Sequence, residues 1–528
     1  MSAFVGLYPF LAVLLRAATL AFEALTVGGV IFQLAIARKD LLSELGTTLS
    51  RLVACFALVL AITQAAYMAA TSAVLMISAD LRWTDVAGAN FFVSGCAVIV
   101  GAGLVGAFAR SGVAGSAGLA GCVLILYGSV TTSHAFGRLD HRWAMAALTA
   151  LHHAASAAWI GAMPYLLLSL GRIRTESTAA TILKRFSTAA TISLGVLIGA
   201  GLLMSRAYIG TAAALTGTAY GIMLLSKVAL TALLVALGGL NLRIVRAIRA
   251  GAAPRLLPLR RFLEAELGIG VTILLAAASL TSSPPAIDVE ADRVSGREIA
   301  ARMAPHWPRM RTPSVEALSP ATPIDASIPL SASFVPGQQV DKNKPADIAW
   351  SEYNHHWAGL IVAAIGILSL CARRWTWARA GPLLFLGLAV FLLIRADPEN
   401  WPLGPNGFWA SFQVAEVAQH RLFVLLIVIF AVFEWSVQTS RVGAERAGLV
   451  FPLVCAAGGA LLLTHSHSLG NAKEEFLAEL SHIPLAVLAV MAGWSRWLEV
   501  RLTPIPPPLR WIWPVCFTLI GAILLNSN

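Results

Sequence analysis

The sequence predicts an all-α polytopic membrane protein, and three observations carry that expectation. Of 528 residues, 58% are drawn from AVILMFWYC and only 12% are charged, against about 45–50% and about 25% in ordinary soluble domains. Apolar runs of about 20 residues, long enough as helices to cross about 30 Å of hydrocarbon, recur along most of the chain. Lys and Arg divide unequally between alternate connecting loops, 22 on one side and 6 on the other, which is the asymmetry that orients membrane proteins. Together these exclude a soluble enzyme, and orientation accounts for the net charge of +11 without nucleic-acid binding.

Taken in order, spans are expected at about 9–36, 52–79, 86–109, 113–134, 143–170, 184–206, 220–245 and 262–281. After a polar interval they resume at about 354–372, 378–395, 412–436, 447–465, 480–499 and 511–526. That is about 14 transmembrane helices in an 8 + 6 arrangement. The first run, Tyr8 to Ala37, is too long for a signal-peptide core and lacks a basic flank, so it reads as a retained span. The third and fourth are Gly-rich and joined by a short turn around Arg110–Gly118. The basic loops lie on the cytoplasmic side, which places both termini outside. Three units follow: an eight-helix membrane domain over 1–281, a Pro-rich extracytoplasmic linker over 282–350, and a six-helix His-rich membrane domain over 351–528. The linker holds ten of the 25 prolines and keeps no helical or strand period for long. The six cysteines form no CxxC and fall in or beside apolar segments, so no disulfide or structural zinc is expected.

All eleven histidines map to the outer side of this topology. His134 ends the fourth span, His141 follows it, and His152 and His153 sit in the outer half of the fifth. His306 is in the linker, His355 and His356 open the ninth span, His420 is early in the eleventh, His465 and His467 close the twelfth, and His482 opens the thirteenth. Imidazole is neutral near pH 7 and binds copper, zinc, iron and nickel; thioethers add affinity for Cu(I). Glu416 and His420 share a helix face at i, i+4, as do Glu475, Glu479 and His482 at i, i+4, i+7. Met68 and Met76 are placed on one face near the outer end of the second span, with Met204 at similar depth. A lone membrane histidine is equally a hydrogen-bonded packing residue, a buried methionine is core filler, and His141 and His306 read as solvated.

Arg16 and Glu23 in the first span and Lys227 in the seventh are charges inside spans. Each costs about 2.5–3.5 kcal/mol on insertion scales, so such groups pair or line a wet path. Lys227 is the expected partner of Glu23, either as a structural ion pair or as part of a relay.

Ser133-His134-Ala135 and Leu151-His152-His153-Ala154-Ala155-Ser156-Ala157-Ala158-Trp159-Ile160-Gly161 resemble the GHA and LHxxAAxxWxG signatures of the copper resistance D (CopD/PcoD) family. Arg185-Phe186-Ser187, Gly217-Thr218-Ala219-Tyr220-Gly221 and Leu224-Leu225-Ser226-Lys227 resemble its RFS, GTxYG and LLxK segments. The six-span C-terminal extension and Ser133, where the family often has Gly, depart from the pattern. The resemblance implies a multi-pass protein of the bacterial inner membrane that handles copper ions from the periplasm, with His134, His152 and Lys227 as functional residues and Trp159 and Gly161 as packing elements. It also implies a periplasmic copper carrier as a partner, beside the surrounding membrane lipid.

The expectation is therefore a copper-binding inner-membrane protein, not an enzyme, that takes up or transfers copper ions through outer-face histidines. Two alternatives stay open: a membrane haem or copper redox protein using His ligands, and a non-transporting scaffold that loads copper into a cuproenzyme. No P-loop, DKTG, GxSxG or HExxH motif is present to support ATP-driven pumping or hydrolysis.

Overall fold

A computed structural model describes residues 2–111, 116–173, 175–251, 256–314, 345–398, 400–413, 415–463 and 472–527. In a bilayer every backbone polar group must be satisfied within the protein, so apolar runs become helices. Those of the first half are α1 (Ser2–Ile31), α2 (Arg38–Ser78), α3 (Asn90–Ser111), α4 (Ser116–Thr131), α5 (Arg142–Ser156), α6 (Glu176–Ile209), α7 (Ala219–Arg249) and α8 (Leu256–Ser282). The second half adds α9 (Pro345–Cys371), α10 (Leu384–Arg395), α11 (Ala415–Gln438), α12 (Val450–Leu462), α13 (Ala472–Arg501) and α14 (Leu509–Leu524). Eleven described helices are long and apolar enough to cross a membrane. Three shorter apolar ones, Ala117–Thr131, Val450–Leu462 and Leu509–Leu524, stand where the fourth, twelfth and fourteenth spans are expected. Among the described residues there is no strand, only an isolated bridge between Asn400 and Asn406.

The Gly-rich composition of α3 and α4 follows from their packing. A Cβ on Gly101 would lie 2.7 Å from the Gly121 carbonyl oxygen, and one on Gly121 equally close to that of Gly101. Small residues let two helix backbones approach where no hydrophobic drive separates protein from lipid.

Two large apolar cores result among the described residues, beside a small cluster of Ala17, Leu20 and Ala278. The first is built from α1 to α8 and also takes Phe476, Ile483, Ala486, Val490 and Leu498 of α13. The second gathers Val362, Ile365, Phe385, Phe430, Phe451, Trp513 and Phe517, with Ala492 of the same α13. Helix α13 thus belongs to both. At its basic end the Trp497 indole donates to Glu264 of α8 at 3.2 Å. Nearby, Arg496 pairs with Glu434 at 3.0 Å and with Glu499 at 2.9 Å, while Arg373 pairs with Glu499 at 2.6 Å. Arg496, counted in the sequence as a loop cation, is largely inside because these carboxylates are buried and need it, while Arg373 reaches in from an exposed position.

The basic loops of the first half meet at one end of the bundle. Arg185 donates to the Ile36 carbonyl at 3.1 Å, Arg172 to Thr48 Oγ1 at 2.9 Å and Arg249 to the Lys184 carbonyl at 3.2 Å. At the opposite end, residues 282–314 form a strap across both halves. Val294 N–H donates to the Gly217 carbonyl at 2.9 Å and Asp288 pairs with Arg138 at 3.6 Å. Trp357 then donates to the Met310 carbonyl at 3.2 Å and Asn526 to that of Met303 at 3.1 Å. Between these anchors Ser295 caps the helix Gly296–Arg302, and Glu298 completes a capping box. Lys473 also pairs with Glu298. That ammonium, with the Ser295 N–H and hydroxyl, holds the Glu298 carboxyl down at about 2.

Candidate functional site

The Leu151–Gly161 motif lies where α5 changes its winding. The α-helix gives way to one π turn, Ala157–Gly161, before resuming over Met163–Leu170; such turns recur at functional sites. Gly161 at its end packs directly on α1. A Cβ there would overlap the Ala24 carbonyl, and one on Gly28 would overlap that of Ala157. This close approach sets Glu23 against His153, whose Nδ1 lies 2.9 Å from Glu23 Oε1 and 3.4 Å from Ser129 Oγ. The expected Glu23–Lys227 pair is not formed; the backbone contact at Gly161 gives Glu23 to α5 instead of α7.

The motif residues, scattered over nearly a hundred positions of sequence, converge on one cavity of about 550 Å³. His134, His152, His153 and Lys227 line it, together with Arg16 and Glu23 of α1. His134 is held by the Ser133 turn, in which the Ser133 hydroxyl donates to the Val130 carbonyl at 2.7 Å. Its ring stands 6.2 Å from that of Tyr208 and 6.4 Å from that of Tyr220. Tyr220 is placed by the GTxYG segment: Thr218 caps α7 by accepting the Gly221 N–H at 3.1 Å. Met204 joins the lining, its sulfur accepting the Thr149 hydroxyl at 3.5 Å.

Two features of this lining suit a ligand. His134 Nε2 and His152 Nδ1 are shielded and have no hydrogen-bond partner. Arg16 and Lys227 have no carboxylate within ion-pair distance among the described residues. Also among the described residues, no three His, Cys, Asp or Glu side chains lie close enough to form a preformed metal centre. The cavity therefore offers dispersed nitrogen and sulfur donors and both signs of charge.

Other candidates are placed differently. Met68 is buried against Gly95 of α3, while Met76 is 40% exposed; at about 100° per residue, eight residues leave them about 80° apart rather than on one face. His356 is fully buried with both nitrogens engaged: Nδ1 accepts the Arg309 N–H at 2.7 Å and Nε2 donates to the Ser527 carbonyl at 3.1 Å. His306, read as solvated, rests with its ring 5.3 Å from that of His356 because the strap lies down on α9. His355 and His482 bring their rings within 6.3 Å, and His420 Nδ1 meets Asp397 at 2.7 Å. His465 and His467 lie outside the described residues, as do the side chains of Glu416, Glu475 and Glu479. Cys96 is exposed and Cys122 buried, and neither reaches the cavity. Tyr208, Met204 and Thr149 carry no motif of their own; the only signal for them is equal depth on neighbouring helices.

With this geometry in view, residues 180–280 match the family described as copper resistance protein D. That stretch of the chain is similar to CopD. The matched stretch holds most of α6 to α8, and the π turn and His134 precede it. The chain also resembles the copper transport protein CutJ of Bacillus subtilis (strain 168), at 32% identity over 137 residues, 25% of this chain and 24% of CutJ. That alignment spans about a quarter of the relative's length. No solved structure matches. The eleven long apolar helices among the described residues, together with this CopD likeness, make this a multi-pass membrane protein.

Proposed function

We propose that this protein takes up copper ions at the periplasmic face of the inner membrane and passes them into the cavity between α1, α5, α6, α7 and α8. The observation that carries the reading is the convergence of His134, His152, His153 and Lys227 of the CopD-like motifs with Arg16 and Glu23 on one cavity. The copper-related family description and the copper transport relative support copper as the cargo.

Neutral imidazoles offer lone pairs to either copper oxidation state, and the Met204 thioether favours Cu(I). Glu23 attracts a cation, whereas Arg16 and Lys227 repel one. That balance keeps the ion weakly held, as conduction requires: binding must be favourable enough for the ion to enter and weak enough for it to leave. A periplasmic copper carrier would deliver at the end that bears His134 and the strap. The role is that of a transport protein rather than an enzyme.

The test compares wild type with the His134→Ala/His152→Ala variant, in copper bound per purified protein and in copper accumulated by cells. A loss of both by at least tenfold, without a Soret band in the wild type, is the expected result. A haem spectrum would move the assignment to a redox protein. Copper bound normally by wild type but not accumulated would move it to a loading scaffold.

A further inference from the structure

A second, smaller cavity of about 190 Å³ lies on the other side of Trp159. Trp159, itself 4% exposed, lines both cavities, as does Val235. The smaller one is walled by the inner parts of α6, α7 and α8, toward the end where the basic loops meet. Its polar floor is Asn241 and Glu266, 7% and 2% exposed. Asn241 Nδ2 donates to Glu266 Oε1, while Asn241 Oδ1 has no partner. No cation pairs with Glu266 among the described residues. Ser187 and Thr191 of α6 add hydroxyls to the same wall.

A carboxyl and an orphaned amide oxygen buried among apolar helices are costly unless a ligand satisfies them. Along α7 the fourteen residues from Lys227 to Asn241 rise about 21 Å, so the two polar sites stand well over half a bilayer core apart. Resting on the transport reading above, we infer that Glu266 and Asn241 form an inner station for the same ion, with the Trp159 indole as the partition between it and the outer cavity. The order of donors fits release, with the direction set by the copper gradient. An ion leaving nitrogen and sulfur for oxygen moves to harder donors that hold soft copper less well. A second station also removes the need for soft ligands deep in the membrane, which Cys96 and Cys122 do not supply. Gly238 lies beside both groups: a Cβ there would sit 3.8 Å from Glu266 Oε2 and 4.0 Å from the Trp159 ring, leaving the partition room to swing.

The experiment measures two quantities on the full-length chain, using copper alone as the probe: copper bound to purified protein and copper accumulated by cells over time. Glu266→Gln is expected to lower accumulation at least tenfold while bound copper stays within twofold of wild type. Glu266→Asp, which keeps the carboxyl, should restore part of the rate, and Trp159→Phe should change the rate without changing the bound copper. Normal accumulation by Glu266→Gln, alongside loss in His134→Ala/His152→Ala, overturns the inner station and leaves the outer site intact. Loss of bound copper in Glu266→Gln equal to that in the His variant also overturns it, by making Glu266 a support of the outer cavity. No accumulation by wild type overturns the transport reading itself.

Discussion

In the N-terminal half, His134 and His152 line a cavity and each keeps a shielded ring nitrogen without a partner. In the C-terminal half, His356 spends both nitrogens on the strap and the C-terminal turn, and His420 sits on Asp397. Both groups occupy the same end of their helices and the same kind of apolar neighbourhood. What separates them is that His356 has both ring nitrogens engaged, whereas His134 and His152 each keep one unpaired. The Arg309 N–H and the Ser527 carbonyl consume both nitrogens of the His356 imidazole, whereas His134, on the Ser133 turn, and His152, in the fifth span, each line the cavity with one ring nitrogen unpaired. One-sided placement of histidine is thus a property of the membrane end, and what marks the site is an unspent nitrogen on its lining, since His306 Nε2 in the strap is unpaired too but lies outside this cavity.

The contrast breaks most sharply under substitution. His134→Ala/His152→Ala is expected to abolish copper accumulation at least tenfold with little loss of fold, while His356→Ala should do the reverse. The latter leaves a buried N–H and carbonyl unsatisfied, costing about 1–3 kcal/mol, to be read as a lower unfolding temperature in detergent with copper accumulation retained by the folded fraction. Equal copper loss in both variants would erase the distinction.

Next in size is Gly161→Ala. The added methyl overlaps the Ala24 carbonyl and should cost about 1–3 kcal/mol by overpacking. Because it prises α1 from α5, it should also weaken copper binding, whereas alanine at the spacious Gly195 of α6 should leave both unfolding temperature and copper content unchanged.

A smaller effect is expected from Glu23→Gln, which keeps a hydrogen-bond acceptor for His153 but removes the negative charge. Copper affinity should fall about threefold to tenfold by titration, with stability nearly unchanged; a rise in affinity would contradict the assigned balance of charge.

The smallest concerns the strap. Glu298 is held at about 2 against an ordinary 4.5, so its contribution to folding is full above about 4.5 and is lost as the pH falls toward 2. Hydrogen exchange over residues 285–304 should quicken across that window in wild type. It should be already faster, and flatter with pH, in Lys473→Ala.

Helical architecture and most span positions are legible in the sequence because a bilayer leaves apolar runs no alternative. The motif histidines are legible for the same reason, since an intramembrane imidazole is conspicuous. Their grouping is not: the meeting of Glu23 with His153 depends on a π turn and two glycine contacts that hydropathy does not register. Glu266 escapes because it sits near a span end, where a single carboxylate looks like surface. The fate of His356 escapes because its partners are backbone groups 47 and 171 residues away, which carry no side-chain signature.

Helix α13 has a consequence for how this chain can be divided. Five of its side chains complete the core of the first eight helices, and Trp497 reaches back to Glu264. A gene ending in the linker would yield a bundle with an open seam facing lipid, and its missing piece would arrive as a separate polypeptide or not at all. Expressed as two fragments split between residues 315 and 344, the halves should copurify; expressed singly, the first should be degraded although every motif histidine is in it.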